Sequence, residues 1–273
     1  MKKIILVVGQ RSNLSIKIYE RLSNVVLLST NDILNDENLF DKFKDKSITL
    51  IFNNFQPAYK LNDLKDPLAY VNNSVLVTAK ILSKIENELC VNKIIYTSSA
   101  SVYGNNNFCD ENDILMPLNL HASLKITNEK LIESFAQEFD IDYTIARVFN
   151  MYGGSDKFSI ISKIIKTTQN NQTLDIINNG SAIRDYIHID DVVESYIMLI
   201  SSKNINYINI ASGLGISVKN ILDYLKLHNF IIKVKNISKS EIKISTSSVD
   251  KLSKLVEINK FKKVEEFILK EMK

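Results

Sequence analysis

Several short stretches carry residue types that could do chemistry together. An apolar run ending at Val8 leads into Gly9-Gln-Arg-Ser-Asn-Leu-Ser15 and then an amphipathic segment. A strand-to-helix turn presents backbone N–H groups and the positive end of a helix, which suits a pyrophosphate. A plain strand–helix turn would read the same way. Downstream, an apolar strand breaks into a hydroxyl-rich turn, Ile94-Ile-Tyr-Thr-Ser-Ser-Ala-Ser-Val-Tyr-Gly104. His121-Ala-Ser-Leu-Lys125 then opens a long helix, with imidazole and ammonium one turn apart on one face. Phe149-Asn-Met-Tyr-Gly153 and Arg184-Asp-Tyr-Ile-His-Ile-Asp-Asp191 follow. The planar guanidinium of Arg184 suits a diphosphate, or else an ion pair with Asp185 or Asp190.

The cofactor of such a turn is legible in part. The second strand ends in Leu28-Ser29-Thr30-Asn31, with no carboxylate before Asp32, where an NAD site offers an acid to the ribose. Arg11 lies inside the turn. Short hydroxyls and a guanidinium favour NADP(H) over NAD(H), through Gly9, Arg11, Ser12, Ser29, Thr30 and Asn31. The alternative is an Arg11 that only faces solvent.

These residues need a scaffold, and hydrophobic periodicity supplies one. Strands are predicted at Lys3–Val8, Asn24–Leu28, Thr49–Phe52, Lys93–Tyr96 and Asp142–Arg147. Helices are predicted between them, at Leu14–Leu22, Leu39–Lys44, Pro67–Ile85 and Ala122–Phe139. Such alternation implies an α/β fold, a doubly wound parallel sheet of Rossmann type. The later part reads as helices at Phe158–Thr168, Asp190–Ser201, Ile216–Leu225 and Val264–Met272, with a strand at Tyr207–Ile210. Residues 1–150 are assigned to a dinucleotide-binding domain and 151–273 to a smaller, interleaved substrate domain. Roughly 182–212 are expected to return to the first.

The ordered strings resemble the extended short-chain dehydrogenase/reductase family of nucleotide-sugar epimerases, dehydratases and reductases. Its patterns SSASVYG, YGASK, RxxNxYGP, RDYIHVDD and NIGSGxGIS match this chain from Met1 to about Ser217, the last at Asn209–Ser217. The resemblance implies that Ser99 hydrogen-bonds the reacting oxygen and that Lys125 holds the nicotinamide ribose. It places Asn150 and Arg184 on the substrate side. Two departures stand out. Of the family's three turn glycines only Gly9 survives, Ser12 and Ser15 holding the other places. His121 stands where the family has its catalytic tyrosine.

Three readings of His121 follow. It is a substitute proton donor; or Ser99 or water donates while His121 shapes the pocket; or the site only binds. The turn and the short C-terminal part look most like the 4-keto-sugar reductases, including the GDP-fucose synthase branch. Ala100 and Ser101 replace the Asp-Glu pair of 4,6-dehydratases, and Ala100 replaces the cysteine of GDP-fucose synthases. The resemblance therefore implies NADPH-dependent reduction of a keto group, at C4, of a nucleotide-activated deoxysugar for surface polysaccharide. The alternatives are a nucleotide-sugar epimerase and an inactive binding protein.

Composition restricts partners. With 34 basic and 31 acidic residues among 273, the net +3 is too small and scattered to indicate nucleic acid or a membrane surface. The first apolar run is too short for a secretion signal, and Cys90 and Cys109 have no metal-ligand spacing. A cytoplasmic homodimer without metal is expected. Its seam would pair the helices Pro67–Ile85 and Ala122–Phe139 through Val75, Ile81, Leu82, Leu131 and Phe135.

Overall fold

Long apolar runs separated by amphipathic helices suit parallel strands, which helical crossovers cover on both faces. The computed structural model describes residues 1–54 and 66–272. In it β1 (Lys2–Val8), β2 (Val25–Leu28), β3 (Lys46–Phe52), β4 (Cys90–Ser99), β5 (Asp142–Val148) and β6 (Tyr207–Ile210) form one six-stranded sheet. Its order is β6-β5-β4-β3-β1-β2. β1 lies parallel to both β2 and β3, and β3 parallel to β4. Leu6, Val7 and Val8 are wholly buried, as a doubly covered strand demands. Strand order reverses between β1 and β3, the switch point where open α/β sheets bind ligands at strand C-termini.

Helices follow the expected pattern with local differences. α1 (Asn13–Arg21) follows the glycine turn. α2 (Thr30–Asn35) forms where an open turn was expected, because the Ser29 hydroxyl accepts Asn31 N–H at 3.2 Å and caps it. The expected helix at Leu39–Lys44 shrinks to one 3-10 turn, Asp41–Phe43. The stretch from Pro67 is α3 (Pro67–Val71), a π turn at Asn72–Leu76 and α4 (Val77–Glu88). α5 (Leu120–Glu138) begins where Asn119 Oδ1 accepts Ala122 N–H at 2.9 Å.

The chain divides into two compact units, one of Met1–Val102, Pro117–Arg147 and Tyr196–Ile208, the other of Tyr103–Met116, Val148–Ser195 and Asn209–Lys273. This differs from a boundary at 150, and only 196–208 of the expected 182–212 return rejoins the first unit. The reason is strand pairing. Ile183–His188, read from sequence as the approach to a helix, is a strand held by Asn150–Tyr152, Gly215–Ser217 and Ile244–Ser247. In the second unit, helices Ile160–Gln169, Val218–Leu227 and Val264–Glu271 bury Ile161, Ile164, Ile221, Leu225 and Ile268. No helix among the described residues is long and apolar enough to cross a membrane.

Candidate active site

At the switch point, β1 runs into Gly9 with φ +94°, a region that L side chains avoid. A Cβ there would lie 2.5 Å from the Asn53 carbonyl oxygen at the end of β3, so glycine is required twice over. Ser12 is the N-cap of α1, yet its side chain makes no capping bond to the first turn. Ser15 is buried and its hydroxyl accepts from Asn53 Nδ2 at 3.2 Å. A glycine turn at the switch point, followed by a helix start without a side-chain cap, fits the pyrophosphate of a dinucleotide. Arg11 is exposed. The Ser29 hydroxyl is engaged in its cap, and Asn31 Oδ1 accepts Asn35 Nδ2 at 3.1 Å. Of the three residues expected at a 2′-phosphate, only Thr30 takes no part in these local bonds.

The catalytic candidates lie at the C-terminal end of β4 and the start of α5. Ser99 Oγ accepts two hydrogen bonds, from Ser101 N–H at 3.2 Å and Ser101 Oγ at 3.0 Å. Its own proton is therefore left to donate to a further acceptor. Lys125 is 3% exposed, and its Nζ donates to the Thr97 carbonyl at 2.8 Å. The same ammonium sits 4.9 Å from the centre of the Tyr96 ring. Burial pushes Lys125 down to about 7, with Glu129 one turn further along opposing the shift. His121, half-buried in the first turn of α5, is pushed down to about 4 by burial first and the Lys125 charge second. The positive helix end acts in the same direction. Burial and the Lys125 charge thus both favour the neutral imidazole.

Residues that sequence reasoning passed over support this site. Glu129 is buried against Arg147 of β5, with Nη2 to Oε2 at 2.9 Å, and the Ser98 hydroxyl donates to its Oε1. Thr97 Oγ1 bonds to Asn53 Oδ1 and lies 2.6 Å from the Tyr196 hydroxyl. The spacing from His121 and Lys125 to Glu129, four residues each time, was an available signal, since it keeps all three on one helix face.

The remaining candidates belong to the second unit. Asn150 Nδ2 donates to the Asp185 carbonyl at 2.9 Å. Arg184 pairs with neither Asp185 nor Asp190. Its Nη2 instead donates to the Ile242 carbonyl at 2.6 Å and to Glu241 Oε2 at 3.4 Å, and its Nη1 to the Ile183 carbonyl at 2.9 Å. The Asp185 carboxylate takes Ser212 N–H and Gly213 N–H, each at 2.8 Å. Burial pushes it up to about 6 against those bonds. Asp190 is paired with Lys262.

Residues 8–211 match the model of the NAD dependent epimerase/dehydratase family, and the chain belongs to that family. It is 28% identical over 203 residues to a putative UDP-glucose 4-epimerase of Methanocaldococcus jannaschii, covering 72% of this chain and 66% of the relative. It is 24% identical over 235 residues to a UDP-glucuronate 4-epimerase of Thermodesulfobacterium geofontis, covering 82% and 72%. For three of the curated relatives it matches, the aligned part spans 66%, 51% and 46% of their length. Among solved structures, a mutant UDP-glucuronic acid 4-epimerase of Bacillus cereus, in complex with a 4-deoxy-4-fluoro substrate analogue and NAD, superposes with a TM-score of 0.87. That pair is 22% identical over 99% of this chain and 98% of the other, a likeness that establishes the parallel-sheet fold.

Proposed function

We propose that this protein inverts the C4 hydroxyl of a nucleotide-activated sugar, by oxidation at C4 and return of the hydride to the opposite face. The observation that carries this reading is His121, one turn before a buried Lys125 and neutral at physiological pH. A bound nicotinamide dinucleotide supplies the reversible hydride acceptor. As C4 is oxidised, the neutral imidazole of His121 takes the hydroxyl proton, and Ser99 donates its remaining hydrogen bond to the same oxygen. When the hydride returns, His121 gives that proton back, so no net proton is required. Relatives that are named 4-epimerases favour the epimerase over the keto-reductase. In the second unit Arg184 is assigned to the diphosphate, and Asn150 to the substrate side.

The test is to incubate the protein with NAD and either UDP-glucose or UDP-glucuronic acid, following C4 configuration by NMR and reduced cofactor by absorbance. Inversion without net NADH accumulation is expected. Stoichiometric NADPH consumption with 4-keto nucleotide sugars would instead establish the reductase, and binding without turnover a non-catalytic role. The cofactor is tested separately. NAD-bound neighbours and the engaged Ser29 and Asn31 side chains support NAD, whereas the exposed Arg11 supports NADP. If Arg11 meets a 2′-phosphate, Arg11→Ala should weaken NADP binding by about 1.5–3 kcal/mol and leave NAD binding unchanged. Equal loss for both cofactors would remove Arg11 from that role.

A further inference from the structure

The guanidinium assigned to the substrate diphosphate already has an anionic partner. A guanidinium offers a phosphate two bidentate edges, Nη1 with Nη2 and Nε with Nη2, so Nη2 belongs to both. In this protein Nη2 of Arg184 is engaged by the Ile242 carbonyl at 2.6 Å and by Glu241 Oε2 at 3.4 Å. The segment that provides both acceptors runs directly into the strand Ile244–Ser247, which pairs Ser245 opposite Arg184. The carbonyl contact is therefore fixed beside that strand pairing. The carboxylate contact is the long one, and both side chains are about one-fifth exposed, 19% for Arg184 and 21% for Glu241. Glu241 has a second partner to fall back on, since its Oε1 accepts Asn178 Nδ2 at 3.0 Å.

We infer that Glu241 occupies the phosphate position of Arg184 in the free protein and is exchanged for the nucleoside diphosphate when substrate binds. The inference rests on the reading of Arg184 as the diphosphate ligand. Its consequence is an affinity set partly by competition. An internal carboxylate must release Nη2 before a phosphate can take a bidentate grip, and its charge repels the incoming anion. Glu241 thus lowers affinity for the diphosphate, and would speed release of product.

The experiment is calorimetric titration of wild type, Glu241→Gln, Arg184→Ala and the double variant with UDP, GDP, dTDP and CDP. Glutamine keeps the shape of Glu241 without its charge, and Glu241→Ala serves as a second variant should packing intervene. For the nucleotide that binds wild type best, Glu241→Gln should bind about two- to fivefold tighter, the scale of a partly exposed ion pair. Arg184→Ala should bind on the order of tenfold weaker or more, and Glu241→Gln should add nothing in the Arg184→Ala background. Equal or weaker binding by Glu241→Gln, with loss in Arg184→Ala, would overturn the exchange and make Glu241 an orienting partner. Unchanged binding by Arg184→Ala would overturn the diphosphate assignment itself. Absence of binding by all four nucleotides to every variant would overturn both.

Discussion

His121 and Lys125 owe their chemistry to burial, and pH should reveal it. The imidazole, pushed down to about 4, is unprotonated at neutral pH, so C4 inversion should fall only as pH drops through about 4. The Lys125 ammonium, pushed down to about 7, is lost as pH rises through that value, so the upper limb should lie near 7. Initial rates from about pH 4 to about pH 9 would trace this profile. His121→Phe should lower turnover by a factor on the order of 10²–10³. His121→Tyr should displace the lower limb upward and lower the rate at neutral pH, because free tyrosine titrates near about 10. If Ser99 or water carries the proton instead, His121→Phe will cost little and Ser99→Ala much. Lys125 also has a stability signature. Its folded pKa lies below the unfolded value, so the unfolded chain binds more protons between about 7 and 10.5 and stability should rise with pH there. Lys125→Met should flatten that slope and raise the melting temperature at neutral pH while abolishing turnover.

At the scale of elements, the buried Glu129–Arg147 pair joins α5 to β5, and Ser98 of β4 completes it. Removing one partner leaves an uncompensated buried charge. Glu129→Ala should therefore destabilise the protein by about 3–5 kcal/mol in urea unfolding. A loss below about 1 kcal/mol would mean that water reaches Arg147. The elements themselves were unequally legible. β1, β3 and β4 announced themselves because strands buried on both faces read as continuous apolar runs. α2 did not, since six residues carry less than two turns of periodicity and Ser29 looked like a turn residue. Asn150–Tyr152 and Gly215–Ser217, of three residues each, are strands only because Ile183–His188 lies beside them.

For the whole molecule, two residues of the expected four-helix dimer seam are not available to a partner. Ile81 is wholly buried and Leu82 is 2% exposed, both packed within the sheet's own core. Leu131 and Phe135 lean on that same core. What remains outward on the stretch from Pro67 is Leu68, Val71 and Leu76, at 68%, 47% and 45% exposure. A homodimer through this face should appear in light scattering at micromolar concentration, and Leu76→Glu should dissociate it. A monomeric wild type would reject the dimer, and a dimer unaffected by Leu76→Glu would place its interface elsewhere.

The amino-acid sequence by itself determined where chemistry could occur. Gly9 before a helix, His121 and Lys125 at four-residue spacing, and the alternation of strands and helices are local patterns, readable because backbone geometry has fixed periods. Tertiary structure alone decided the state of those residues. Burial under packed neighbours lowers the pKa of His121, and strand pairing brings Glu241 to Arg184 across 57 positions of chain. Desolvation and long-range pairing depend on which atoms surround a group after folding, and local spacing does not encode that environment.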